Sequence, residues 1–136
     1  MLELTERQSI EINDVTLQVL SALQEIGVRI GIDDFGTGYS GLSYLSKMNI
    51  DFLKLDKSFI AMIALESTTK IIVDVVIDLA QKLNMQVIAE GVEHLHQKQY
   101  LLDKKVIFQQ GFLFSKPLPI AQFQRYFSQE HEQRKQ

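Results

Sequence analysis

Residues 29–45, RIGIDDFGTGYSGLSYL, constrain this chain more than any other stretch. A short apolar run, Val28, Ile30 and Ile32, reads as a buried strand, and it ends in two adjacent carboxylates, Asp33 and Asp34. A glycine-punctuated loop follows, Gly36-Thr37-Gly38, and then a helix opened by Ser40. Neighbouring carboxylates repel, so a strand that delivers two of them into a loop calls for a cation or a shared proton. A plain turn is the competing explanation, because Asp and Gly are ordinary turn residues.

The rest of the chain decides between them. Along it, hydrophobic period switches repeatedly between strand and helix. Leu2-Glu3-Leu4-Thr5-Glu6 alternates as a strand. A helix follows with Asp14 as N-cap, Val15, Val19, Ala22, Leu23 and Ile26 on one face, and Gly27 just past its end. After the 28–32 strand comes a short helix over 41–48, with Leu42, Leu45 and Met48 on one side. The third strand, 50–55, carries Lys54 and runs into Asp56. The longest helix, 68–83, sets Ile72, Val75, Val76, Leu79, Ala80 and Leu83 in register. A strand over 85–89 leads into Glu90-Gly91-Val92-Glu93, a helix over 97–102 follows, and a fifth strand over 106–108 ends at Gln109-Gln110-Gly111. Pro117 and Pro119 break the chain before a last helix, 120–127, with Phe123 and Phe127 on one side. This organisation gives one domain over 1–127 and a polar tail over 128–136, expected to fray. Alternating strands and helices predict an α/β fold with a parallel sheet, either doubly wound or part of a (β/α) barrel.

In such a sheet every strand C-terminus points to one rim. The polar residues collect at those ends: Glu3, then Asp33 and Asp34, then Lys54 and Asp56, then Glu90 and Glu93, then Gln110. Each has a bland explanation. A glutamate in a strand is usually solvent-facing, a lysine flanked by leucines can snorkel at a sheet edge, Glu93 can cap a helix, and Gln110-Gly111 can be a turn. His94 and His96 read as surface residues. Convergence carries the inference instead: an oxygen-rich, acidic pocket with one lysine suits hard cations such as Mg²⁺ or Mn²⁺. Two such cations can activate water and clamp a phosphodiester, with Lys54 offsetting phosphate charge or orienting the water.

Composition closes other routes. There is no cysteine, hence no disulfide, thiolate zinc site or cysteine nucleophile, which suits a reducing, cytoplasmic setting. The formal charge of -3 provides no basic field for a nucleic-acid polymer or an anionic membrane. No apolar run is long enough to span a bilayer, and MLELTERQ lacks the order of a signal peptide.

With these residues in place, the chain resembles the EAL domain family. The segments LELTE, DDFGTGYSGLSYL, DFLKLDKSFI, VIAEGVE and QQGFLFSKPLP carry the resemblance, in that order, over residues 2 to about 127. The family comprises bacterial phosphodiesterases that open cyclic di-GMP to linear pGpG. The resemblance implies a TIM-type (β/α) barrel, of which this chain holds about the last five strands. It implies Glu3, Asp33, Asp34 and Glu90 as ligands of a two-metal site, and Lys54, Glu90 and Gln110 as catalytic groups. Glu93 would brace the loop after Asp34, and Phe35, Gly36, Thr37 and Gly38 would form that substrate-side loop. Relatives usually have glycine where Lys105 stands. The E-A-L signature with its glutamate, and an asparagine ligand upstream of LELTE, are not in this sequence. Cyclic di-GMP is the implied substrate, and a homo-oligomer or a missing N-terminal half would complete the barrel. The alternatives are a non-catalytic interaction module derived from the same family and a doubly wound receiver-like domain. The receiver pattern fits poorly, because Asp33-Asp34 and Lys54 are separated by a single crossover.

Overall fold

The computed structural model describes residues 1–5, 13–35, 45, 47–63 and 68–133. Five strands form one parallel sheet: β1 (Leu2–Thr5), β2 (Ile30–Phe35), β3 (Phe52–Leu55), β4 (Gln86–Glu90) and β5 (Phe108–Gln110). Their order in the sheet is their order in the chain, and every neighbouring pair is parallel. A doubly wound sheet reverses its strand order at a switch point, and this sheet never does. Strands added one crossover at a time in one direction make an arc of a (β/α) barrel. The described helices are α1 (Asp14–Glu25), α2 (Lys57–Met62), α3 (Thr68–Lys82), α4 (Leu95–Asp103) and α5 (Ile120–Gln133).

The core lies between the sheet and these crossovers. β3 is buried at all four positions, as a central strand covered on both faces should be. Leu53 and Leu55 pack with Ile30, Ile60, Val73, Ile77 and Leu101. The helical faces differ in part from those read off the hydrophobic pattern. On α1 it is Leu20 that is buried and Leu17 that packs against the core, while Val15 and Val19, and Ile26 at its C-cap, are exposed. On α3 the expected Val76, Leu79 and Ala80 do pack inward, joined by Val73 and Ile77, while Ile72 and Val75, and Leu83 just past its end, are exposed. Both helices are apolar on two sides, so periodicity alone does not choose between the faces. The N-cap of α1 is Asn13 rather than Asp14; its Oδ1 accepts from the Thr16 amide at 2.9 Å.

Three helices hand the chain to the next strand through the same device. After α1, α3 and α4 the residues Gly27, Asn84 and Lys105 have positive φ, at 88°, 59° and 62°. In each case the next amide returns to a carbonyl five residues back: Val28 to Leu23, Met85 to Ala80, Val106 to Leu101. This is a Schellman closure, whose left-handed position favours glycine. It also explains why β5 begins at Phe108 and not at Val106: Val106 completes the helix cap and is buried as its hydrophobic contact.

Helical backbone in α5 runs to Gln133, beyond the Phe127 end set by its apolar residues. Phe123 and Phe127 stack with ring centres 6.2 Å apart, as their spacing predicts. The expected helix over 41–48 lies largely outside the described residues; of those described, Leu45 and Met48 are buried. Among the described residues, no helix is long and apolar enough to cross a membrane.

Candidate active site

All five strands contribute a side chain to one cluster. At its centre is Lys54, the third residue of β3 and nearly buried. Its Nζ lies 2.9 Å from Asp33 Oδ1 on β2, 3.0 Å from Glu90 Oε1 on β4, and 3.1 Å from Glu3 Oε2 on β1. Gln110, the last residue of β5, donates from Nε2 to Glu90 Oε1 at 2.8 Å. Sheet register makes this possible: Thr5 pairs with Asp33, Lys54 with Ile88, and Glu90 with Gln110. Lys54 therefore points into the acids rather than snorkelling to water. Burial by itself favours the neutral amine, but hydrogen bonds to Asp33, Glu90 and Glu3 and the charge of Glu90 outweigh it, so its pKa rises above that of an ordinary lysine.

The paired acids of β2 sit on an irregularity. Ile32 pairs with Leu53 and Phe35 with Leu55, so β2 uses one residue more than β3 over the same span. That bulge falls on Asp33-Asp34, where regular alternation would send the two side chains to opposite faces. Asp34 has φ 56°, a conformation that asparagine and aspartate tolerate best after glycine. Its amide donates to Asp33 Oδ1 at 3.0 Å, so that oxygen receives both a backbone proton and the ammonium.

Two glycines follow the last two site residues because there is no room for anything else. A Cβ on Gly111 would lie 2.2 Å from the Val92 carbonyl oxygen, and one on Gly91 would lie 2.5 Å from Lys57 Cβ. The backbone beyond β5 is thereby laid on the segment beyond β4: Val92 N donates to Gln110 O and Leu113 N donates to Val92 O, both at 3.0 Å. That segment is also held from below by Gln97. Its side chain is buried, accepts from the amides of Glu93 (2.9 Å) and His94 (3.0 Å), and donates to Ile60 O in α2 (3.1 Å).

Beside Glu90 and Gln110 opens a cleft of about 620 Å³, lined also by Asp56, Lys57, Glu93, Lys116, Phe112 and Tyr126. Asp56 caps α2, accepting from Ser58 N at 2.9 Å, and hydrogen bonds from the Ser58 side chain and amide lower its pKa; it is a capping residue rather than a member of the Lys54 cluster. Glu93 is exposed at the cleft rim, and the helix N-cap beside it is His94. His94 and His96 are on the surface, as expected, with their rings stacked 5.4 Å apart. Phe35, expected in the substrate-side loop, is instead the last residue of β2 and buried in the core. Gly36, Thr37 and Gly38, and the loop that Glu93 was expected to brace, lie outside the described residues.

Sequence reasoning missed Gln97, Lys57 and Lys116. Gln97 sits in a polar run, His96 to Gln99, whose members look alike; only its i–3 and i–4 spacing to His94 and Glu93 hinted at an inward amide. The two lysines face the acidic rim only through the fold.

The donor set suits a hard divalent cation. Every acid is an oxygen donor, and three of them already surround one positive charge. Among the described residues no three acids form a ready-made metal cage. Their oxygens stand 2.9–3.1 Å from the ammonium, a spacing set by N–H···O hydrogen bonds.

Comparison with known proteins agrees with this geometry. The EAL domain family matches residues 1–117. A probable cyclic di-GMP phosphodiesterase of Escherichia coli (strain K12), PdeG, is 45% identical over 118 residues, which is 87% of this chain and 23% of that protein. The crystal structure of the EAL domain of Mycobacterium smegmatis DcpA superposes with a TM-score of 0.87 at 39% identity, covering 94% of this chain and 57% of that one. Klebsiella pneumoniae BlrP1, solved as a manganese/cyclic di-GMP complex, has a TM-score of 0.74 at 40% identity, covering 85% of this chain and 29% of that one. The chain thus spans about a quarter of the curated relative and somewhat over half of the solved EAL domain.

Proposed function

The chain belongs to the EAL domain family, and from that premise we propose that it carries the C-terminal catalytic face of a metal-dependent phosphodiesterase acting on cyclic di-GMP, with linear pGpG as product. The observation that carries this reading is the convergence of Glu3, Asp33, Lys54, Glu90 and Gln110, one from each strand, on a single rim. Glu3, Asp33, Asp34 and Glu90 would hold the metal, Mg²⁺ or Mn²⁺ by their all-oxygen chemistry. When bound, a pair of such cations lowers the pKa of water and offsets charge on the phosphodiester. The protein's own groups set the geometry. Lys54 supplies a fixed positive charge for a phosphate oxygen or the attacking water. Gln110 holds Glu90 in one orientation through its amide, and Glu93, Lys57 and Lys116 edge the cleft that receives the nucleotide.

The reading includes completion of the barrel, by a second copy or by the remaining part of an EAL domain. The exposed apolar residues Val15 and Val19 on α1, Ile26 at its C-cap, and Ile71, Ile72 and Val75 on α3 favour burial against further protein. The absence of cysteine suits work in the cytoplasm. Incubation of the chain with Mn²⁺ and cyclic di-GMP, with products separated by chromatography, tests the activity. Formation of pGpG by the native chain and its loss in Glu90→Gln support the reading; turnover unaffected by Glu90→Gln refutes it.

A further inference from the structure

An ammonium group has three protons to donate and no more. Lys54 has all three facing carboxylate oxygens, of Asp33, Glu90 and Glu3, at 2.9, 3.0 and 3.1 Å. In this arrangement none is left for a water or a phosphate oxygen. The same three carboxylates are the residues that would hold the metal. The oxygens are spread to fit N–H···O bonds of about 3 Å rather than metal bonds of about 2.1 Å. Lys54 is also nearly buried, on the central strand of the sheet, so it has little freedom to swing away into water.

We infer that Lys54 is the site's built-in counter-ion, and that a divalent cation enters by exchange with it: as the carboxylates turn to the metal, Lys54 gives up at least one of its three contacts and acquires a free proton for the water or the phosphate. One residue thus has two successive roles. It first holds three like charges together so that the strand ends can fold against each other; once displaced, it becomes the donor that the reaction uses. Metal loading and arming of the lysine are then a single event, and an unloaded site has no spare donor with which to grip a phosphodiester. This rests on the metal-dependent reading above and adds an order of events to it.

The exchange has a readout independent of turnover. Calorimetric titration of the full chain with Mn²⁺ compares the native protein with Lys54→Met and Lys54→Arg. Removing the competing charge tightens Mn²⁺ binding by at least about tenfold, while Lys54→Arg, which keeps the charge, stays within about threefold of the native value. A second measurement needs no substitution. In chelator-treated native protein the Lys54 ¹⁵Nζ resonance carries ammonium protons protected by three hydrogen bonds, and saturation with Mg²⁺ shifts it and speeds its proton exchange. Equal or weaker Mn²⁺ binding by a folded Lys54→Met, or a Lys54 resonance unmoved at Mg²⁺ saturation, overturns the exchange. Failure of the wider reading looks different. Native protein that turns over cyclic di-GMP without a metal–lysine exchange leaves the phosphodiesterase standing and removes only this inference. Exchange as described without turnover leaves the inference standing and removes the enzyme.

Discussion

Replacing Gln97 by leucine isolates what one buried amide does for the active site. The side chain satisfies three backbone groups at once, the amides of Glu93 and His94 and the carbonyl of Ile60. Leucine fills nearly the same volume, so the change creates no large cavity and the loss is almost purely of hydrogen bonds. At about 1 kcal/mol for each bond, the expected destabilisation is about 3 kcal/mol, and more where a partner is left dry. For a chain of this size that corresponds to a fall of about 10 °C in Tm. The same bonds tie the segment after Glu90 to α2, so the carboxylate that Lys54 and Gln110 share loses its support. Denaturant unfolding measures the first effect and Mn²⁺ titration the second, which should weaken severalfold. Gln99→Leu is the control, since the Gln99 side chain bonds to the Asp103 side chain on the exposed face of α4, and should change stability by less than about 0.5 kcal/mol. A loss at Gln97 below about 1 kcal/mol, or no greater than at Gln99, refutes the reasoning.

Three further substitutions probe other parts of the account. Lys105→Gly relieves a left-handed residue in the Schellman closure after α4 and should stabilise the fold by about 0.5–1 kcal/mol in denaturant unfolding. Gly111→Ala drives a Cβ into the Val92 backbone and should cost more than about 3 kcal/mol, whereas Gly27→Ala, with open space around its Cβ, should cost only about 1 kcal/mol for its positive φ. On the far side of the sheet, Tyr100 donates to Asp74, which also pairs with Lys104 at 2.8 Å. Burial and the Asp74 carboxylate raise the Tyr100 pKa, so ultraviolet titration of Asp74→Asn should show Tyr100 ionising at lower pH than in the native chain. Burial opposes ionisation of Asp74, but its bonds to Lys104 and Tyr100 prevail and lower its pKa. The unfolded chain therefore binds the proton first as pH falls: the contribution is present above the ordinary carboxylate value of about 3.9 and is lost as pH drops through the lower folded value. Asp74→Asn should flatten that acid limb of the stability curve; an unchanged limb contradicts the assignment.

Much of the site was legible because barrel topology does the assembling. Once the strands were placed, the residues at their ends were bound to meet, and Glu3, Asp33, Lys54, Glu90 and Gln110 do. What remained hidden has physical causes. Lys54 between two leucines could be an edge lysine or an inward one, and only the three acids facing it decide. Two-sided helices concealed that Leu20 rather than Val15 and Val19 packs inward on α1, and that Val73 and Ile77 rather than Ile72 and Val75 do so on α3. Phe35 followed an acid pair and preceded glycines, so it read as loop, yet the bulge at Asp33-Asp34 returns it to the core opposite Leu55. Val106 looked like a strand residue because it is buried and β-branched, but its burial belongs to a helix cap. Gln97 gave almost no signal, because an amide that turns inward looks in sequence like one that faces water.

The most direct test of the central claim is calorimetric titration of the chain with cyclic di-GMP, first with Mn²⁺ and then with chelator, in native protein and in Asp33→Ala. Strand ends that form one metal-dependent phosphodiester site predict nucleotide binding that needs Mn²⁺ and disappears in Asp33→Ala. Binding that persists under chelator, or that Asp33→Ala leaves unchanged, would place the nucleotide elsewhere and contradict the account.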